Sequence, residues 1–348
     1  MEKENEITSK CKNCGSDLEF NSKEGCLTCR YCKSNYFLPT TNDKAVLVRQ
    51  YDAGFHPNQM NKTLYSYECD TCKNIYYMSS DEKSKKCPNC GNATSTLVQD
   101  SGYCADGILP FKITKEEAAK KLSEYLKSQG NVPSDLKKMA TNQKLMGVFI
   151  PVWNFSFTVA ASYNGNAVEL KKDFNGMFYS VNKPVFGDEV KRVESLDEAA
   201  NSNEDPIFLD LFDENDYNKI IPYIPEYTFG YRVDAINKNI HDYYYSITSN
   251  AEKDMEKKIT KKLNSKYKEI YDIQVDADAR DVFFNFTYVP VYVNTYNYGG
   301  KTYKTYISGT TGKVVGKTPK SAKKVIGKFL KGLAVVALIA AIGYLFLR

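Results

Sequence analysis

The chain has 348 residues, 42% hydrophobic and 26% charged, which is enough for two or three domains and too apolar for a disordered protein. Its net charge of +5 is unevenly placed: residues 313–348 hold seven Lys and one Arg with no acid, so the other 312 residues come to −3. Outside that tail no basic footprint of the kind a nucleic-acid site needs is left.

Aromatic usage points to strands, since 27 Tyr and 18 Phe stand beside one Trp and aromatics suit pleated, half-buried surfaces. The opening MEKENEITSK is polar, so no secretory leader is expected. Eight of the ten cysteines fall into four C-x-x-C pairs, a spacing that suits a metal better than a disulfide framework. Residues 1–40 read as one zinc ribbon with ligands Cys11, Cys14, Cys29 and Cys32. After a linker at 41–64, residues 65–100 read as a second ribbon with ligands Cys69, Cys72, Cys87 and Cys90. Each ribbon separates its two knuckles by 14 residues, so the pair looks like one unit used twice. Two Zn2+ ions in closed four-thiolate sites are expected, with structural rather than catalytic roles. Glycines after Cys14 and Cys90 are expected to let a backbone N–H turn toward a sulfur. Cys26 and Cys104 remain over and read as buried small side chains. The first 104 residues hold 13 basic and 13 acidic side chains. With two thiolate-bound zincs that end becomes negative, which favours protein over nucleic acid as its partner.

Residues 105–312 form the body. A helix is predicted from Thr114, whose hydroxyl and Glu117 make a capping box, with Ala118, Leu122, Tyr125 and Leu126 as its buried stripe. A shorter helix is expected near Ser134. Residues 147–163 read as a strand, and Asn164-Gly165 as a tight hairpin turn. The run FIPVW at 149–153 is echoed by YVPVY at 288–292, which suggests two related strand units. Residues 188–218 read as an acidic loop, 250–267 as a polar helix with a solvated face, and 281–308 as strands turning at Tyr298 to Gly300.

Residues 313–328 read as a basic stem and 329–347 as a transmembrane helix, 19 residues with Lys331 near one end. Such a helix spans roughly 28 Å. Lys320, Lys323, Lys324, Lys328 and Lys331 would meet anionic lipid on the cytoplasmic side. The expected placement is therefore a single-pass protein of the cell membrane with its bulk in the cytoplasm. The fold class expected is α+β: two ribbons, a mixed body with an internal repeat, and that one spanning helix.

Nothing assembles a catalytic site. The two histidines, His56 in the linker and His241 at a helix start, lie far apart, and neither H-E-x-x-H nor G-x-S-x-G occurs. GKVVGKT at 312–318 is one residue short of a phosphate loop and is followed by Pro319. It reads as a strand-end turn.

Several phrases together carry a likeness: CKNCG with CRYC at 11–32, CDTC with CPNCG at 69–91, ILPFKI followed by KEEA at 108–118, GVFIPVW at 147–153 and GTTGKVVG at 309–316. In these, and over nearly its whole length, the chain resembles the TFIIB-type zinc-ribbon membrane proteins of the YdjG type. Such proteins are sometimes labelled primosomal or PriA-like, a label that does not transfer because the helicase phosphate loop is missing. The resemblance implies a role in an envelope-stress system. Its implied partners are a second small membrane protein, a flotillin-like (SPFH) protein and a phage-shock (PspA-type) protein. It matches the eight ribbon cysteines one for one and brings no catalytic residues. The expectation is a non-enzymatic, tail-anchored adaptor that takes no small-molecule substrate. A membrane-tethered, nucleic-acid-binding or regulatory ribbon protein is the alternative.

Overall fold

A computed structural model describes residues 10–38, 46, 48–53, 64–71, 75–79, 95–99, 105–130, 132–133, 135–136 and 145–319. Three small strands, β1 (Leu18–Asn21), β2 (Cys26–Cys29) and β3 (Asn35–Phe37), make an antiparallel meander in that order. Strand β4 (Arg49–Gln50) follows, then a second small sheet of β5 (Leu64–Cys69), β6 (Ile75–Ser79) and β7 (Ser95–Gln99), ordered β6-β5-β7. The two small sheets are thus wired differently despite their equal cysteine spacing. In one the central strand lies between the knuckles and ends at Cys29; in the other it precedes them and ends at Cys69.

The body is built on two very long strands. After β8 (Gly107–Ile108) and helix α1 (Lys115–Ser128) come β9 (Met146–Lys172), of 27 residues, and β10 (Phe178–Ala199). Helix α2 (Glu214–Tyr217), short strands β11 (Ile221–Pro222) and β12 (Arg232–Val233), and the long helix α3 (Ile240–Lys266) lead to β13 (Glu269–Tyr298), of 30 residues. Strands β14 (Lys301–Ser308) and β15 (Val314–Gly316) complete a sheet ordered β10-β9-β13-β14-β15. The structure has more strand than helix.

The sheet has two zones, and its sequence shows why. From 147 to 153 and from 286 to 293 both faces are covered. Phe149, Trp153, Phe286 and Tyr288 pack with α1 and the start of α3 on one side. Val148, Ile150, Val289 and Val291 pack against Phe208, Leu211 and Phe212 on the other. Burial on both faces demands unbroken apolar runs, which GVFIPVW and YVPVYV supply. Farther along, only one face is covered, and the sequence falls into alternation. Phe155, Phe157, Val159 and Ala161 point to the core with Ile247, Met255, Ile259 and Leu263 of α3, while Asn154, Ser156, Thr158 and Ser162 lie on the other face. This arm of three strands and one helix projects from the body.

The echoed runs are neighbours. Phe149 pairs with Pro290 and Pro151 with Tyr288 across the β9–β13 ladder. Each proline also falls at a change of partner on its strand's other side. Around Pro151, β10 pairs down to Val152 and β12 up to Phe149. Around Pro290, β8 pairs up to Tyr288 and β14 from Val291 onward. A ring without an N–H costs a central strand little where no ladder bond is due.

Several expectations need correction. Asn164-Gly165 is not a turn: β9 runs straight through it, and the chain reverses at 173–177. Gly165 instead leaves room for β13, since a Cβ there would stand 2.5 Å from Ile273 Cδ1 and 2.9 Å from the Asp272 oxygen. The acidic loop begins later than expected, because 188–199 belongs to β10. The polar helix starts earlier and is not merely a solvated surface, since Met255, Ile259 and Leu263 are buried. The expected fold class fails in its membrane element and so does the single-pass placement: among the described residues no helix is long and apolar enough to cross a membrane. Helix α3 has the length, but six Lys with Asp254 and Glu256 crowd its second half, and such charges are costly in hydrocarbon. The segment 329–347 and Lys320, Lys323, Lys324, Lys328 and Lys331 lie outside the described residues, as does most of the short helix expected after Ser134.

Candidate metal centre

Two knuckles with one backbone design form the centre. In the first, the Cys11 N–H donates to Ser16 O at 2.7 Å and the Gly15 N–H returns to Cys11 O at 2.8 Å. In the second, the Cys29 N–H donates to Ser34 O at 2.9 Å and the Lys33 N–H returns to Cys29 O at 3.2 Å. The returning residue is left-handed in both, Gly15 with φ 70° and Lys33 with φ 61°. That conformation suits glycine and strains lysine. The glycine after Cys14 therefore aims its N–H at a carbonyl, not at a sulfur. An N–H to sulfur contact is made by Cys32, to Cys29 Sγ at 3.5 Å.

Strands β1 and β2 hold the knuckles together. Cys11, Cys14, Cys29 and Cys32 place their sulfurs within 4.8 Å of one another. Cys11 and Cys32 approach to 3.4 Å, Cys14 and Cys29 to 3.5 Å, and Cys14 and Cys32 to 3.6 Å. A zinc tetrahedron with bonds of ~2.3 Å has sulfur–sulfur edges of about 3.8 Å, so the donor set and its size fit such an ion. Cys11 and Cys29 are buried; Cys14 and Cys32 face solvent. The Tyr36 hydroxyl, 3.3 Å from Cys11 Sγ, lowers that thiol to about 6. Cys14 is pushed up to about 12. The Ser16 N–H pulls it down, but desolvation and the thiols of Cys29, Cys32 and Cys11 together outweigh that pull. Four thiols crowded together cannot all shed protons without a cation among them.

The ribbon does not stand alone. Its Phe20 N–H donates to Phe229 O at 2.9 Å, and the Phe20 ring meets Tyr227 edge-on at 4.9 Å. A cleft of about 520 Å³ lies along this seam, lined in part by Arg30, Thr114, Tyr231 and Arg232. The ribbon exposes Tyr31 at 80%, between the second pair of cysteines, and Phe37 at 78%, on β3 opposite Cys26. Of the nearby cations, Arg30 pairs with Glu19 and Lys10 with Asp17.

Cys26 is buried beside Glu24 and Thr28, outside the cluster, and burial pushes its thiol up. Cys69 is buried at the end of β5, whereas Cys72, Cys87, Cys90 and Cys104 lie outside the described residues. His241 Nδ1 lies 2.7 Å from the Tyr51 hydroxyl.

Sequence reasoning missed a buried polar knot on the body. Glu204 accepts from Arg232 at 3.0 Å, from Lys304 at 2.9 Å and from Tyr306 at 2.9 Å. Asp234 also takes Arg232, at 2.8 Å, and is pushed up to about 6 because burial outweighs the pull of that guanidinium. Three separate segments supply these groups, so no motif signals them. Their charges answer one another, and the knot fixes the 200–205 loop and β12 to β14.

No family model matches the chain, and no solved structure does. Among curated proteins it is similar to one from Bacillus subtilis (strain 168) described as "Uncharacterized protein YdjG". The two are 23% identical over 339 residues, 93% of either chain.

Proposed function

We propose that the protein is a non-enzymatic adaptor whose metal-stabilised ribbon offers a docking surface to partner proteins. The observation that carries this reading is the closed cluster of Cys11, Cys14, Cys29 and Cys32, which has four protein donors and no place for a reacting ligand. Zinc is the ion such a donor set favours, and Cys69, Cys72, Cys87 and Cys90 would hold a second one. Tyr31, exposed between Cys29 and Cys32, and Phe37, exposed on β3 opposite Cys26, are the aromatic anchors that protein interfaces favour. The partner classes follow from the resemblance: an SPFH (flotillin-like) protein, a PspA-type protein and a second small membrane protein.

The test is co-purification of the full chain, with metal content measured on the same sample. Wild type should retain about two zinc per chain, and Cys14→Ser about one. Tyr31→Ser with Phe37→Ser should keep the metal and lose the partner. A metal-loaded chain that captures no partner of these classes, or one that turns over a substrate, would refute the adaptor. The nucleic-acid alternative predicts salt-dependent binding to DNA or RNA; pairing of Arg30 and Lys10 with acids argues against it.

A further inference from the structure

Where β9 outruns β13, the arm narrows to two strands. The last β9–β13 pair is Glu269 with Val168, and α3 has ended at Lys266, yet β9 and β10 continue to the pair Phe178 and Lys172. Residues 169–181 therefore overhang the third strand and the helix by roughly 13 Å. A lone two-stranded ribbon is marginal in water, and polar side chains would be its ordinary covering. This one bears Phe174 at 97% exposure, Phe178 at 70% and Met177 at 69%, with Leu170 and Tyr179 also exposed.

The turn does not require them. Asp173 Oδ1 accepts the N–H groups of Asn175 at 2.9 Å and Met177 at 2.8 Å, and the Asp173 N–H donates to Met177 O at 2.9 Å. These bonds close the turn whatever side chain stands at 174. They also occupy Asp173 Oδ1, and Glu169 lies 4.0 Å from Lys183, so of the four charged side chains between 169 and 181 Lys171 and Lys172 are the two left to meet an anion beside the apolar tip. Lys172 Nζ lies 5.6 Å over the Phe178 ring.

Shape and charge select the occupant. Leu170 and Phe178 lie on one face of the hairpin, Tyr179 on the opposite face, and Phe174 and Met177 at the turn. A tip only two strands wide, with apolar side chains on both faces and at its turn, would need a protein pocket that wraps around it. A fluid apolar phase accepts it from any direction, and lysines at its base meet phosphate as they snorkel. We propose that this hairpin tip is a lipid-contacting site. Phe174, Met177 and Phe178 enter the headgroup–acyl boundary of an anionic bilayer while Lys171 and Lys172 bind its phosphates. The contact is peripheral, needs no crossing segment and is independent of the metal at the cysteines.

Phe174→Trp in the metal-loaded full chain reports on the tip itself, because Trp153 is fully buried. With vesicles of phosphatidylcholine and phosphatidylglycerol its emission should move to the blue and be quenched by brominated acyl chains; vesicles of phosphatidylcholine alone should give much less. In vesicle flotation, Phe174→Ser with Phe178→Ser should weaken binding roughly tenfold or more. Replacing Lys171 or Lys172 by Gln should weaken it about fivefold each, and salt should mimic that loss. A tip tryptophan that stays in water while the chain floats with vesicles would overturn the proposal. So would a failure to float, or burial of the tip by a protein without lipid.

Discussion

At the scale of single residues, backbone conformation decides what side-chain chemistry cannot. Lys33 occupies in the second knuckle the left-handed position that Gly15 occupies in the first. Lys33→Gly should therefore stabilise the ribbon by about 1 kcal/mol, read as a higher midpoint for metal-dependent unfolding. The capping box at α1 is a second case. The Thr114 side chain accepts the Glu117 N–H at 3.2 Å while Glu117 accepts the Thr114 N–H at 2.7 Å. That backbone bond holds the Glu117 carboxyl below its usual 4.5. A lowered acid adds stability above its unfolded value and loses it as pH falls through the folded one. Thr114→Ala, which keeps that backbone N–H, should cost about 1 kcal/mol, whereas Glu117→Gln should destabilise at neutral pH and clearly less near pH 3. Chemical denaturation at both pH values measures the difference. Both knuckles and the capping box were legible in the sequence, because their partners lie within five residues.

At the scale of elements, the long strands depend on a few close approaches. Gly165 sits opposite the β13 irregularity between Tyr271 and Gln274, where Asp272 takes φ 55°. Gly165→Val would drive a branched side chain against Ile273 and the Asp272 carbonyl. A loss of roughly 1–3 kcal/mol is expected in urea unfolding, with the arm opening before the body. The Asn-Gly pair misled the sequence reading because its turn signal is local. The demand for a missing side chain came from a strand more than 100 residues later. Helix α3 misled it similarly. Its apolar stripe of Ile247, Met255, Ile259 and Leu263 is narrow, so the Lys and Glu between dominate the pattern, yet one arm face needs only that width.

At the scale of the whole molecule, the metal site and the body share a seam. Phe20 in β1 is bonded to Phe229, three residues before the buried Arg232. Chelation should therefore loosen residues 225–231 as well as the ribbon. Hydrogen exchange is expected to rise by about tenfold or more at the Phe20 and Cys29 amides. Exchange across the β9–β13 ladder should stay unchanged. Equal protection of the ribbon with and without chelator would show that the cysteines do not hold its fold.

By itself the sequence determined the four-thiol cluster at Cys11, Cys14, Cys29 and Cys32, the start of α1, the wealth of strands and the likeness of the two proline-centred runs. Each is written in short spacings or alternations, where neighbours in the chain are neighbours in space. Only the tertiary structure decided that those runs pair with each other, that β9 passes through Gly165, that Glu204 and Arg232 meet, and that a hairpin tip stands clear of its sheet. These depend on contacts between segments tens to more than a hundred residues apart, and no local pattern encodes which strand ends first.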